Sequence, residues 1–239
     1  MNKYEIVKRI EKFAPPELAE SWDCSGWAVE TNRKEVHKIM LCLTVTDNII
    51  KQARQQNCDM IISHHPMFYI PFSISSPLAG EDVRRTGEEF IDIYAAHTNL
   101  DRAQGGTTDT LISKLGFEVS ETDDFLRFAD VKVSIDELRN RLLKISSNLR
   151  YVNNNGIKVL NKLAFCAGSG SDFIEEAFKK GADAFITGDI KFHTALESPI
   201  VLFDIGHFES EILVLQVFEK LLPDIETVRA VEKSPFIYQ

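Results

Sequence analysis

Apolar and polar positions along the chain follow two rhythms, one helical and one alternating between short apolar runs and polar helices. Residues 4–13 place Tyr4, Ile6, Val7, Ile10 and Phe13 at helical spacing, and Pro15 with Pro16 ends that element. The segment SWDCSGWAVE (21–30) mixes small, acidic and aromatic residues and reads as a structured loop. A strand–helix alternation follows. IMLCLTV (39–45) predicts a buried strand and TDNIIKQARQQN (46–57) its helix, and DMIIS (59–63) is a second strand running into His64 and His65. GEDVRRTGEEF (80–90) predicts a short helix, IDIYAA (91–96) a strand, and TDTLISKLG (108–116) a helix closed by Gly116. Strands alternating with helices imply an α/β fold with a mainly parallel sheet covered on both faces.

Near residue 125 the pattern changes. RFADVKV (127–133) predicts a strand, and Ser134 with Glu137 forms a capping box for a helix reaching Ser147. NLRYVNNNGIKV (148–159) is hairpin-like, with Asn155-Gly156 at its turn. LNKLAFCA, GSGS, DFIEEAFKKG and ADAFIT then give strand, glycine-rich turn, helix and strand. IVLFDI (200–205) is a further strand, and HFESEILVLQVFEKLL (207–222) predicts one long helix.

Composition narrows the function classes. The 239 residues suffice for one large or two modest domains, and a 44% hydrophobic content fills their cores. An excess of 36 acidic over 27 basic residues, a net charge of -9, argues against binding to nucleic acid or an anionic membrane. Cys24, Cys42, Cys58 and Cys166 form no knuckle or redox pair. The opening MNKYEIVKRIEKF lacks a signal peptide's apolar segment, and no stretch approaches the roughly 18 to 20 apolar residues of a membrane span. The expected setting is cytoplasmic.

Candidate chemistry gathers after the apolar strands. His64 and His65 follow DMIIS and precede Pro66, which disfavours a helical His65 and keeps the chain extended. His97 and Asp101 follow IDIYAA. His207 and Glu211 follow IVLFDI, four residues apart, so on a helix they share one face. Every cluster sits beyond the carboxyl end of a strand, where open parallel sheets place their ligands. Imidazoles with carboxylates and no cysteine suit zinc, manganese or iron better than calcium or magnesium. Five ligands exceed what one open ion needs. They suit two ions bridged by Glu211, and a single ion stays open on the residues alone.

Other residues have two readings each. His97 is a proton shuttle or substrate contact, or a loop-orienting hydrogen-bond partner. Asp189, Lys191 and His193, in ITGDIKFH, are cleft residues or a solvated helix start capped by Asp189. Asp47 is a cleft carboxylate or a helix first-turn charge. Gly168–Ser171 is an anion cradle or, more simply, a tight turn. His37, in EVHK, is a polar approach to a strand.

SWDCSGW, IISHHPMFY, AAHTNLDRAQGG, FCAGSGS, ITGDIKFH and DIGHFESE, in that order, resemble the GTP cyclohydrolase 1 type 2 homologue family of dinuclear-metal hexameric proteins. The chain departs from the family pattern at Cys24–Trp27, where asparagine, glycine and an aliphatic residue are common after the Trp-Asp pair. The resemblance implies two divalent ions on His64, His65, Asp101, His207 and Glu211, with His97 beside them as the catalytic residue. It also implies a homohexamer whose subunits have two α/β domains. The first, discontinuous, takes residues 1–125 and 201–239, and the second takes 126–200. The implied function is a dinuclear metal-dependent hydrolase acting on a nucleotide or another small phosphate-containing ligand. A metal-storage, metal-delivery or regulatory protein without turnover is the alternative.

Overall fold

The protein's structure, a computed structural model, describes residues 1–67 and 91–237, and the helix expected over 80–90 lies outside them. The chain divides into two compact units, Met1–Ala103 with Val214–Lys233 and Gln104–Leu213 with Ser234–Gln239.

The first unit is built on strands β1 (Gly26–Val29), β2 (Lys38–Cys42), β3 (Met60–Ser63), β4 (Asp92–Ala95) and β11 (Glu226–Arg229), ordered β1-β4-β3-β2-β11. Only β1 runs antiparallel, so the sheet is mainly parallel as expected. Its central strands β2, β3 and β4 are mostly apolar and buried at every position but Lys38, because both faces are covered. Met40 and Cys42 pack with Ile49, Ile50 and Ala53 of α2 (Asp47–Gln55), while Ile39 and Leu41, pointing the other way, are also fully buried. Thr46 caps α2, accepting from the Ile49 amide, and exposed Asp47 is a first-turn charge. Helix α1 (Lys3–Phe13) buries Ile6, Val7 and Ile10. Helix α3 (Thr98–Arg102) follows β4 directly.

The second unit holds β5 (Glu121–Asp123), β6 (Leu126–Ser134), β7 (Arg150–Val152), β8 (Val159–Phe165), β9 (Ala184–Thr187) and β10 (Val201–Asp204) in the order β5-β6-β8-β9-β10-β7. β8, β9 and β10 are parallel neighbours. Its helices are α4 (Thr107–Lys114), α5 (Ile135–Leu142), α6 (Ile174–Lys179), α7 (Phe192–Glu197) and α8 (His207–Glu211). Ser134 accepts from the Glu137 amide, as its capping motif predicts, but α5 stops well before Ser147.

Several expectations give way to packing. The segment read as a loop carries β1, an edge strand on β4. The hairpin does not form, because β6 and β9 occupy both edges of β8 and β7 takes the edge of β10 instead. The expected long helix breaks at a 3-10 turn, Ile212–Val214, before α9 (Leu215–Leu221), where the chain passes from one unit to the other. Unit boundaries also lie elsewhere than at residues 125 and 201. Leu111 and Ile112 of α4 share a core with Leu138, Leu142 and Leu163, and β10 pairs with β9, so 104–125 and 201–213 join the second unit.

Candidate metal centre

In the first unit the donors stand just beyond the carboxyl ends of β3 and β4. The chain beyond β3 turns tightly, with the Ser63 hydroxyl donating to the His65 carbonyl at 2.8 Å. That turn brings the buried His64 and His65 rings to the same side, 5.1 Å apart and tilted 39°. The His97 ring stands 5.3 Å from His64 and 5.4 Å from His65, and the three can offer ligand atoms within 4.8 Å of one another. His64 Nε2 lies 3.4 Å from Asp101 Oδ1.

Each ring is oriented from behind. His64 Nδ1 lies 3.0 Å from the Ala96 carbonyl, His65 Nδ1 2.7 Å from Thr44 Oγ1, and His97 Nδ1 2.9 Å from Asp23 Oδ1. Asp23 is embedded. Burial pushes its carboxyl up, but hydrogen bonds from His97, Thr98 and Ser25 outweigh that and hold it well below the usual carboxylate range. Ser25 donates to Asp23 and accepts from the His97 amide at 3.1 Å. Thr44 is fixed in turn by Glu232, whose carboxylate accepts from the Leu43 amide at 2.6 Å and the Thr44 amide at 3.4 Å. Trp22 meets His97 edge-on at 6.2 Å.

In the second unit β8, β9 and β10 end side by side, bringing together Gly168, Gly188 and Asp189, and the start of α8. His207 Nε2 lies 3.0 Å from the buried carboxylate of Glu211, four residues on as the spacing predicts. Asp189 holds His207 Nδ1 at 2.8 Å from a left-handed backbone position, φ 57°, that aspartate tolerates. It does not cap α7; Lys191 occupies that position without a side-chain bond, and Lys191 and His193 are exposed. The Gly168–Ser171 turn is no anion cradle. Its Gly168 amide donates to Ser210 Oγ and its Gly170 amide to Thr187 Oγ1, both at 2.9 Å. Its glycine serves another end: at φ +70°, a Cβ on Gly168 would fall 2.1 Å from Glu211 Oε1.

Both donor pairs fit a divalent ion. With metal–ligand bonds of about 2.0–2.2 Å meeting at about 90–109°, two ligand atoms stand about 2.8–3.6 Å apart. The 3.4 Å between His64 and Asp101 and the 3.0 Å between His207 and Glu211 fall inside that range.

Burial lowers the proton affinity of His207, but hydrogen bonds and charge from Glu211 and then Asp189 outweigh it and raise the pKa to about 9. Without metal, the imidazolium therefore stabilises the fold fully below its unfolded pKa of about 6.5, and that contribution is lost as pH rises toward about 9. Asp189→Asn is expected to move the His207 midpoint down toward 6.5, read from the ring's NMR titration in metal-free protein. An unchanged midpoint would leave Glu211 as the sole cause of the shift and remove Asp189 as a contributor. Metal uptake near neutral pH should release this proton.

Sequence reasoning located the three histidine clusters but not the residues behind the rings. Thr44 and Glu232 left no signal, since each acts through a partner far along the chain. Asp23 sat in a segment visibly rich in small polar residues, the one clue available.

The sequence matches the Duf34/NIF3 (NGG1p interacting factor 3) family over residues 1–235. It is 36% identical to a protein of Clostridium perfringens named GTP cyclohydrolase 1 type 2 homolog, over 99% of both chains. A protein of the same name from Campylobacter jejuni is 32% identical over 100% of both. Among solved structures, reduced HcgD from Methanocaldococcus jannaschii aligns with a TM-score of 0.85 at 27% identity, over 96% of this chain and 97% of that one. The protein ybgI, described as of unknown function, shares the fold with a TM-score of 0.89 at 22% identity, over 99% and 100% of the two chains.

Proposed function

The chain belongs to the Duf34/NIF3 family, and from that membership we propose that it is a dinuclear metal-dependent hydrolase. His64, His65, Asp101, His207 and Glu211 hold two divalent ions, zinc, manganese or iron, with His97 as the catalytic residue beside them. The observation that carries this reading is the orientation of four imidazoles. Ala96, Thr44, Asp23 and Asp189 each engage an Nδ1, which presents the Nε2 atoms as the ligating or proton-carrying nitrogens. Packing alone gives no reason for four histidines at strand ends to be held in one sense.

The bound ions supply Lewis acidity and make a water acidic enough to act near neutral pH. The chain supplies the rest. Asp23 fixes the His97 Nδ1 proton, so Nε2 takes a proton from the attacking water and returns it to the leaving atom. Nitrogen and oxygen donors, with no thiolate among them, suit an open site better than a closed structural one. The substrate proposed is a nucleotide or another small phosphate-containing molecule. In a cyclohydrolase form of the reaction, one water adds at C8 of guanine and breaks one C8–N bond, and a second water hydrolyses the resulting formamide to release formate, each nitrogen taking up a proton. The chain is proposed to act as a cytoplasmic homohexamer. No helix among the described residues is long and apolar enough to cross a membrane.

The test is turnover by the purified protein loaded separately with zinc, manganese and iron(II), across GTP, other nucleotides and phosphoesters. Product formation is expected with at least one metal, falling at least about 100-fold in His97→Ala while bound metal is retained. No turnover with any metal would contradict hydrolysis and favour metal storage, delivery or regulation.

A further inference from the structure

Three of the four oriented rings face groups that only accept. The Ala96 carbonyl and the carboxylates of Asp23 and Asp189 draw a hydrogen to Nδ1 of His64, His97 and His207. His65 differs. Its Nδ1 lies 2.7 Å from Thr44 Oγ1, and a hydroxyl gives or takes a hydrogen bond. If the hydroxyl accepts, the ring hydrogen sits on Nδ1 and Nε2 keeps the lone pair a metal needs. If the hydroxyl donates, the hydrogen of the neutral ring moves to Nε2 and blocks it. Thr44 by itself leaves the two tautomers open.

The segment after β11 supplies a charge that decides between them. Ala230–Glu232 is neither helix nor strand, yet it is fastened at each residue. The Ala230 amide donates to the Leu41 carbonyl at 2.8 Å. The Val231 amide donates to Gln52 Oε1 at 2.8 Å, and its carbonyl accepts from Gln52 Nε2 at 2.9 Å. Glu232 then reaches the end of β2, where Oε1 accepts from the Leu43 amide at 2.6 Å and Oε2 from the Thr44 amide at 3.4 Å. Two accepting oxygens are the pattern of an ionised carboxylate. Burial pushes its carboxyl up, against the pull of those two amides and of the charge on His65. The same turn carries the histidines, since the Cys42 and Leu43 carbonyls accept from the His64 and His65 amides at 3.2 and 2.8 Å.

We propose that Glu232 is the positioning residue of His65, its charge on the Thr44 amide turning the Thr44 hydroxyl to accept and so fixing the ring hydrogen on Nδ1. The hydroxyl hydrogen rotates about its bond to Cβ, and a neighbouring negative charge draws it away from the ring and leaves a lone pair facing Nδ1. The carboxylate thus does through a hydroxyl what Asp23 and Asp189 do directly. The consequence for metal affinity rests on the dinuclear reading; the tautomer does not.

The test is the ring-nitrogen NMR spectrum of the full, metal-free chain at about pH 8, above the ordinary imidazole range. His65 is expected to carry its hydrogen on Nδ1. Glu232→Gln, which keeps an acceptor for the Leu43 amide but removes the charge, should move hydrogen to Nε2 of His65 and leave His64 unchanged. Thr44→Val should do the same without touching the segment after β11, and Thr44→Ser should restore the wild-type ring. Cobalt(II) affinity should fall about tenfold or more in Glu232→Gln and Thr44→Val and recover in Thr44→Ser. Hydrogen on Nε2 of His65 in the wild type, no change in Glu232→Gln, an equal change at His64, or Thr44→Ser behaving as Thr44→Val would each overturn the proposal. The expected tautomers in a chain that takes up no metal would support the positioning and remove the dinuclear reading instead.

Discussion

Gly188→Ala is expected to destabilise the second unit by about 3 kcal/mol or more and to abolish metal binding at His207 and Glu211. A Cβ there would lie 2.7 Å from the His207 amide nitrogen, 2.8 Å from the Gly206 carbonyl carbon and 2.9 Å from the Gly168 carbonyl oxygen. All three are backbone, so no rotamer change relieves the clash, and the loops after β8, β9 and β10 must separate. Gly168→Ala provides the contrast. Its Cβ meets the mobile end of the Glu211 side chain, and alanine at φ +70° costs about 1–2 kcal/mol. That variant should fold, with Glu211 displaced and its metal affinity lost. Denaturant melts and metal analysis on both variants separate the two effects. Full metal content in Gly168→Ala would mean that Glu211 does not ligate from its present position.

The second large effect is expected from His64→Ala, which should weaken divalent-ion binding in the first unit by at least about 100-fold. The ring is fully buried and lies 3.4 Å from Asp101 Oδ1, and its removal also strips the Ala96 carbonyl of its partner. Some loss of stability, about 1–3 kcal/mol, should accompany the loss of metal. Glu211→Gln tests the other unit with little change of shape, since it removes the charge and keeps the volume. His37→Ala is the control, its side chain 82% exposed and paired only with Asp59 among the bonds described. Cobalt(II) titrations report each variant. Equal affinities for His37→Ala and His64→Ala would remove His64 from the centre.

Much of this site was legible because its donors follow apolar strands. IMLCLTV, DMIIS, IDIYAA, ADAFIT and IVLFDI are buried on both faces, and such runs announce themselves without a structure. The histidines placed just beyond them could then be located by topology alone. What escaped was carried by weaker or longer-range signals. β5 and β11 are short edge strands rich in charge, Glu121–Asp123 and Glu226–Arg229, with no apolar alternation to betray them. β7 looked like half of a hairpin because Asn155-Gly156 is a strong local turn signal. Its true partner lies fifty residues away in β10, a choice set by which sheet edge was open. The division into units failed for the same reason: Leu111 and Ile112 of α4 belong to whichever core receives them, and periodicity does not name it. The Glu232–Thr44–His65 relay spans most of the chain and is visible only once β2 and the terminal segment are folded together.

The central proposal is that His64, His65, Asp101, His207 and Glu211 are ligands of two divalent ions. Anomalous diffraction from crystals of the metal-loaded protein tests it most directly. The account predicts two peaks per chain, each about 2.0–2.3 Å from imidazole Nε2 and carboxylate oxygen atoms of those five residues. Full-occupancy density bound elsewhere, or no peak at these residues in protein that carries metal in solution, would contradict it.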